Sequence, residues 1–244
     1  MSELYVIGTG PGDPAYLLPA ARDALERVEA VVGYGLYLDL LGPLAEGKRR
    51  HALPLGQESE RARLALRLAE GGTPTALVCS GDPGIYALAS LVLELMDREG
   101  RGQGVAVEIV PGISAAQLAA ARLGAPLGHD FCFVSLSDLL TPWPVIERRL
   151  HAAAMGDFVV CLYNPVSRRR RRQLPRAREI LLGHRRGDTP VALARAVGRP
   201  DEAIRLTTLE ALDAAAVDML TVVIVGNSQS RRLGERLYTP RGYF

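Results

Sequence analysis

Apolar positions in the first half of the chain alternate between short unbroken runs and longer stretches of helical spacing. Residues 4–8, Ala30–Gly33, Thr75–Cys79 and Val105–Val110 are apolar almost throughout, the pattern of strands covered on both faces. Between them, Leu17, Leu18, Ala21, Leu25 and Val28 recur at helical spacing and predict a helix over 14–28. Leucines and alanines over 59–70 predict another, stopped by Gly71-Gly72. Two more are predicted over 85–98 and 114–122. Strands and helices in alternation imply a parallel sheet with helices on both faces.

After Gly124 the rhythm changes. Strands are predicted over 131–136, 158–163, 191–195, 203–207 and 220–225, with helices over 145–154, 175–182 and 209–216. Residues 196–202, with Gly198 and Pro200, read as a hairpin turn. A stretch rich in Gly, Pro and Ala over 111–128 marks a boundary and divides the chain into 1–112 and 113–244. The expected architecture is two α/β domains, the N-terminal one with a largely parallel sheet and the C-terminal one with a mixed sheet, and a cleft between them. No internal repeat or low-complexity linker interrupts it.

Composition narrows the class. Of 244 residues, 48% are hydrophobic and 23% charged, enough apolar material for a core in each domain. The first predicted strand starts almost at Met1, which leaves no room for a signal peptide, and no apolar run reaches membrane-spanning length. A cytoplasmic protein with no membrane partner is expected. Cys79, Cys132 and Cys161 each sit in an apolar, strand-like segment and lack metal-ligand spacing, so buried free thiols are expected. The histidines are dispersed, and no metal site is expected. Arg168 to Arg172 form an unbroken run, which is either a solvated face or an attractor for a polyanionic ligand. Nucleic acid is disfavoured as a partner, because net charge is only +2 and no aromatics interleave the run.

Three turns carry the candidate chemistry. Gly8-Thr9-Gly10-Pro11-Gly12-Asp13 joins the first strand to a helix. It is a poor dinucleotide fingerprint, because Asp13 stands where the third glycine belongs and would face a pyrophosphate. Asp13 also reads as a helix cap. Ser80-Gly81-Asp82-Pro83-Gly84-Ile85-Tyr86 follows the third strand, and Val110-Pro111-Gly112-Ile113-Ser114-Ala115 the fourth. All three lie at carboxyl ends of strands, where open α/β sheets bind ligands. Asp82 is suited to accept hydrogen bonds from a ligand ammonium.

In these turns the sequence resembles the tetrapyrrole methylases, the class III methyltransferases that use S-adenosylmethionine (SAM). The resemblance covers nearly the whole chain. Further segments narrow it to members that methylate ring carbon 17 of a corrin precursor, precorrin-3B or its cobalt counterpart, with ring contraction, in cobalamin biosynthesis. They are Val32-Gly33-Tyr34 with Tyr37-Leu38-Asp39, His129 to Phe131 running on to the stretch from Ser135 to Trp143, Leu162 to Arg168, and Thr239 to Tyr243. Two departures stand out. Leu18-Pro19 replaces the frequent Thr-Pro, and the loop from Ala194 to Arg199 lacks the family's Asn.

The resemblance implies SAM as cosubstrate, a tetrapyrrole as substrate and a homodimer. It implies cofactor contacts at Pro11, Gly81, Asp82, Ile85, Ser114, Ala115, Tyr163, Asn164 and Ala192, mostly through the backbone. Ser135, Ser137 and Arg168 are expected to bind substrate, since Arg is suited to carboxylates. Ring contraction calls for a general base, for which Asp138, His129 and Tyr34 are candidates. Asp138 reads equally as a turn cap beside Thr141-Pro142, and His129 as an inter-domain hydrogen bond. The competing readings are a family member acting at another ring carbon and a diphthine-synthase-like methyltransferase, the latter disfavoured by Ser135-Leu136-Ser137-Asp138.

Overall fold

The structure, a computed structural model, describes residues 2–244. The chain divides into two compact units, Met1–Ala115 and Ala116–Phe244. The first contains β1 (Ser2–Gly8), α1 (Pro19–Arg27), β2 (Ala30–Gly33), α2 (Gly35–Asp39), β3 (Arg49–Ala52), α3 (Glu58–Glu70), β4 (Thr75–Cys79), α4 (Ala89–Glu99) and β5 (Val105–Val110). Its five strands form one sheet in the order β3-β2-β4-β1-β5, and every neighbouring pair is parallel. Side chains alternate across the sheet as strand geometry requires. Leu4 and Val6 of β1 pack with Ala62 and Leu66 of α3 and Val92 of α4. Tyr5 and Ile7 pack on the other face with Ala21 and Leu25 of α1 and Leu38 of α2. Burial on both faces is why these strands read as continuous apolar runs.

The second unit begins within α5 (Ala115–Leu123). There follow β6 (Gly124–Ala125), β7 (Phe131–Ser135), α6 (Trp143–Met155), β8 (Val159–Tyr163), α7 (Gln173–Leu182), β9 (Pro190–Arg195), β10 (Ala203–Thr208), β11 (Thr221–Val225), β12 (Arg231–Leu233) and β13 (Arg236–Tyr238). The main sheet runs β10-β9-β11-β8-β7 and is mixed: β7 and β8 are parallel, and the other pairs antiparallel. Helices α6 and α7 bury Ile146, Leu150, Leu174 and Ile180 against Leu162, Leu193 and Val223 on one face. A small sheet, β12-β13-β6, completes the unit. Thr239, just beyond it, is buried and donates through Oγ1 to the Pro126 carbonyl at 2.7 Å. The terminal Thr-Pro segment thus ties the chain end to the α5–β7 connection.

The parallel and mixed sheets agree with the sequence reading; several elements do not. The helix expected over 14–28 is a 3-10 turn at Pro14–Tyr16 and then α1. Leu17 and Leu18 between them are extended, with ψ of 117° and 146°. Pro19 is the cause: a proline ring excludes its predecessor from the helical region, while suiting the first helical position itself. Helix α4 starts at Ala89, four residues after the expected Ile85, because Tyr86 is held at φ 53° in the preceding turn. The helix expected over 209–216 is only a 3-10 turn at Ala214–Ala216. Leu209, Leu212 and Val217 are buried, so their helical spacing reflected a loop pinned to the core. Strand β3, Arg49-Arg50-His51-Ala52, was not foreseen because an exposed edge strand shows no apolar run. Among the described residues, no helix is long and apolar enough to cross a membrane.

Candidate active site

In the first unit the three glycine turns follow β1, β4 and β5, which are adjacent in the sheet. The turns therefore meet at one edge. Gly10 and Gly81 bridge each other, Gly81 N–H donating to Gly10 O at 2.7 Å and Gly10 N–H to Gly81 O at 3.2 Å. Thr9 joins β4 through both its backbone N–H and its hydroxyl, each donating to Cys79 O. A Cβ on Gly112 would lie 2.1 Å from Gly81 O, so only glycine allows the second and third turns to touch. Gly81 is different. It sits at φ +68°, and an added Cβ would meet only Ser114 Cα at 3.9 Å. Its glycine is required by backbone conformation, and the space beside it is not filled by this unit.

Asp82 joins two of the turns. Its Oδ1 accepts from Gly84 N–H at 2.8 Å and its Oδ2 from Gly112 N–H at 3.1 Å. Both oxygens thus serve the backbone, a role that no run of consecutive residues discloses. Pro11 and Ser114 are buried at the same edge, and Ile85 and Ala115 are half-buried. Tyr34 follows β2 and heads α2, its ring edge-on to Tyr37 with centroids 5.3 Å apart. Asp13 caps the 3-10 turn, accepting from Ala15 N–H at 2.8 Å. Sequence reading passed over Arg61, in the first turn of α3. It is buried, donates to Glu58 Oε1 at 2.6 Å and has no partner for Nε.

In the second unit β7 and β8 end together, with Ser135 opposite Tyr163. Ser135 Oγ accepts from Asn164 Nδ2 at 3.0 Å and from Ser137 N–H at 3.2 Å. Asn164 adopts φ 51°, a left-handed conformation Asn tolerates better than most residues. The Tyr163 hydroxyl accepts from Ala116 N–H at 3.0 Å, satisfying one unpaired donor in the first turn of α5. Asp138 is exposed, and its Oδ2 accepts from Gln173 Nε2 at 2.7 Å.

The arginine run divides sharply. Arg168, Arg169, Arg171 and Arg172 are exposed, whereas Arg170 is only 8% exposed. Its Nε donates to Asn164 O at 2.8 Å, its Nη1 to Ser137 Oγ at 3.2 Å and its Nη2 to Met219 Sδ at 3.4 Å. Burial pushes the guanidinium's pKa down, and nearby Asp138 partly offsets this. A sequence signal existed: Ser167 lies three residues earlier, and its Oγ accepts Arg170 N–H at 3.0 Å, closing a turn that aims the side chain inward.

Two expected residues fall elsewhere. His129 precedes β7 while Ser135 ends it, six residues and up to about 20 Å of extended chain away. Its Nδ1 accepts from the backbone N–H of Asp130 at 2.8 Å. It does not join Ser135 and Asp138. Ala192 lies inside β9, fully buried and paired with Leu206 on one side and Ile224 on the other. A central strand commits its N–H to the ladder, so Ala192 has no spare backbone donor. Of the thiols, Cys79 and Cys161 are buried and Cys132 partly so, all free. Among the described residues no group of three or more His, Cys, Asp or Glu could hold a metal.

Comparison with known proteins matches residues 3–213 to the Tetrapyrrole (Corrin/Porphyrin) Methylases. The chain is 46% identical over 240 residues to a probable cobalt-factor III C(17)-methyltransferase of Salmonella typhimurium, covering 98% of this chain and 99% of that one. It is 44% identical over 247 residues to a precorrin-3B C(17)-methyltransferase of a Sinorhizobium species, covering 98% and 96%. Other relatives are longer, and the chain spans 45–48% of their length. Among solved structures, the methyltransferase CobJ superposes with a TM-score of 0.94 at 40% identity, covering 98% of this chain and 100% of that one. Uroporphyrin-III C-methyltransferase of Thermus thermophilus, complexed with S-adenosylhomocysteine, gives 0.71 at 26% identity, covering 92% and 97%.

Proposed function

The chain belongs to the tetrapyrrole methylases, and from that premise we propose that it methylates carbon 17 of precorrin-3B, or of its cobalt counterpart, with ring contraction in cobalamin biosynthesis. One observation carries the reading: two proteins named for methylation at carbon 17 match over 98% of this chain and over 96–99% of their own lengths.

SAM is the methyl donor in this reading, supported by the related enzyme bound to S-adenosylhomocysteine. The carboxyl edge of the parallel sheet fits such a ligand. The Gly10–Gly81 bridge fixes two turns side by side, and the space where a Gly81 Cβ would stand is open. Pro11, Gly81, Asp82, Ile85, Ser114 and Ala115 are the residues that would hold it. When bound, SAM supplies a methyl on a sulfonium that is already electrophilic. The protein's own task is alignment, which can contribute up to about 7–11 kcal/mol. Asp82 locks the turns, and each of its oxygens keeps a lone pair for a ligand ammonium. Ser135, Ser137 and Arg168 bind the tetrapyrrole. Contraction requires a proton to leave a substrate hydroxyl, a role worth about 10²–10⁴-fold. Asp138 takes that role, its carboxylate held by Gln173; Tyr34 is the second candidate.

The test is to incubate the purified protein with SAM carrying a ¹³C methyl and with precorrin-3B or cobalt-factor III. A product one methyl heavier, with the label at carbon 17, supports the reading. Label at another carbon overturns it while leaving the family intact. The same reading includes a homodimer working in the cytoplasm, checked by sedimentation and by cell fractionation.

A further inference from the structure

Leu139 and Leu140 are 83% and 93% exposed. Adjacent leucines this bare occur at no other internal position among the described residues. Exposed single leucines are ordinary, but a bare pair on an otherwise anchored loop is informative. The loop is tied down on the N-terminal side of the pair. Ser137 is held by Ser135 Oγ and by Arg170 Nη1, and Asp138 by Gln173 Nε2. Arg170 also holds Asn164 O, so one buried guanidinium joins this loop to the turn after β8. Downstream, Pro142 heads α6, and Trp143 packs against the core. The tip therefore does not expose its leucines because the loop lacks structure. It presents them.

We propose that Leu139 and Leu140 form an apolar contact for the tetrapyrrole ring, presented by a loop that Arg170 positions from beneath. The inference rests on the substrate reading above, which sets Ser135, Ser137 and Asp138 at the tetrapyrrole. A macrocycle has a broad apolar face and a rim of carboxylates. Two leucines beside two serines and an arginine-rich turn match that division, the leucines taking the face and the polar groups the rim. Arg170 is a positioning residue, since it is buried and its Nε, Nη1 and Nη2 each donate within the protein, to Asn164, Ser137 and Met219.

The experiment compares wild type, the double variant Leu139→Ser/Leu140→Ser, and Arg170→Lys. Tetrapyrrole affinity is read from the absorption of cobalt-factor III, SAM affinity by calorimetry, folding by thermal melting and self-association by sedimentation. The double variant should melt like wild type, because exposed leucines give little to folding, and should bind SAM normally. Its tetrapyrrole affinity should fall about tenfold or more. Arg170→Lys should weaken tetrapyrrole binding more than SAM binding, since lysine cannot reproduce the three-way geometry. Unchanged tetrapyrrole affinity in the double variant overturns the proposal. So does a loss of self-association with tetrapyrrole affinity intact, which assigns the leucines to contact with a second copy. If wild type itself fails to bind cobalt-factor III, the substrate reading has failed instead, and the two failures are distinct.

Discussion

The carboxylate of Asp82 accepts the backbone N–H of Gly112 at 3.1 Å, thirty residues along the chain, while its other oxygen accepts Gly84 N–H. This pair holds the turn after β4 against the turn after β5. Asp82→Asn keeps one acceptor oxygen but replaces the other with a donor, which faces the donor of Gly84 or Gly112. It should weaken S-adenosylhomocysteine binding about tenfold and cost about 1–2 kcal/mol of stability. Calorimetry and urea unfolding check both. A variant with wild-type affinity and stability would mean that the turns hold without this carboxylate.

Gly81 and Gly112 should respond differently to alanine. At Gly81 the cost is conformational, about 1–2 kcal/mol for a left-handed residue with a Cβ. At Gly112 the new Cβ would collide with the backbone oxygen of Gly81, which is itself held by Gly10 N–H. Gly112→Ala should therefore be the more destabilising of the two in denaturant unfolding. Gly81→Val should stay folded and lose SAM binding, because the side chain enters the open space beside the turn.

Arg168 and Arg170 are two residues apart but should behave oppositely. Arg170→Ala leaves Asn164 O and Ser137 Oγ without their donor and opens a cavity, costing about 2–3 kcal/mol. Arg168→Ala should change stability by less than about 0.5 kcal/mol. If Arg168 binds a tetrapyrrole carboxylate, its loss raises the tetrapyrrole KM about tenfold with SAM binding intact. Equal small effects of Arg168→Ala and Arg171→Ala on KM would make Arg168 part of a solvated face.

The thiols give a pH signature. Burial pushes Cys79 up to about 11 from its ordinary 9.0, and raises Cys132 and Cys161 as well. Above pH 9 the unfolded chain loses thiol protons that the folded protein keeps. Stability contributed by these groups is present below pH 9 and declines as pH rises toward 11. Urea midpoints measured from pH 8 to pH 11 should fall, and a Cys79→Ala variant should show a shallower decline. Maleimide at neutral pH should label the partly buried Cys132 ahead of Cys79 and Cys161.

What could be read in the sequence was local or periodic. The continuous apolar runs of β1, β2, β4 and β5 announced a sheet covered on both faces, and the three glycine turns marked the edge where those turns meet, because both signals are written in consecutive residues. Elements without a local signal escaped. Strand β3 is polar because it lies at an edge, and α2 is too short to show a period. The role of Asp82 could not be seen, since its partner Gly112 is distant in sequence and near only because β4 and β5 both flank β1. Likewise five consecutive arginines look alike in the sequence. Which one is buried depends on the turn that Ser167 closes and on Asn164, Ser137 and Met219, which the fold alone gathers around Arg170. His129 and Ser135 share one segment of sequence, yet an extended strand puts them at opposite ends. A chain determines the residues it offers at each turn; only the packing of strands from distant segments decides which of them meet.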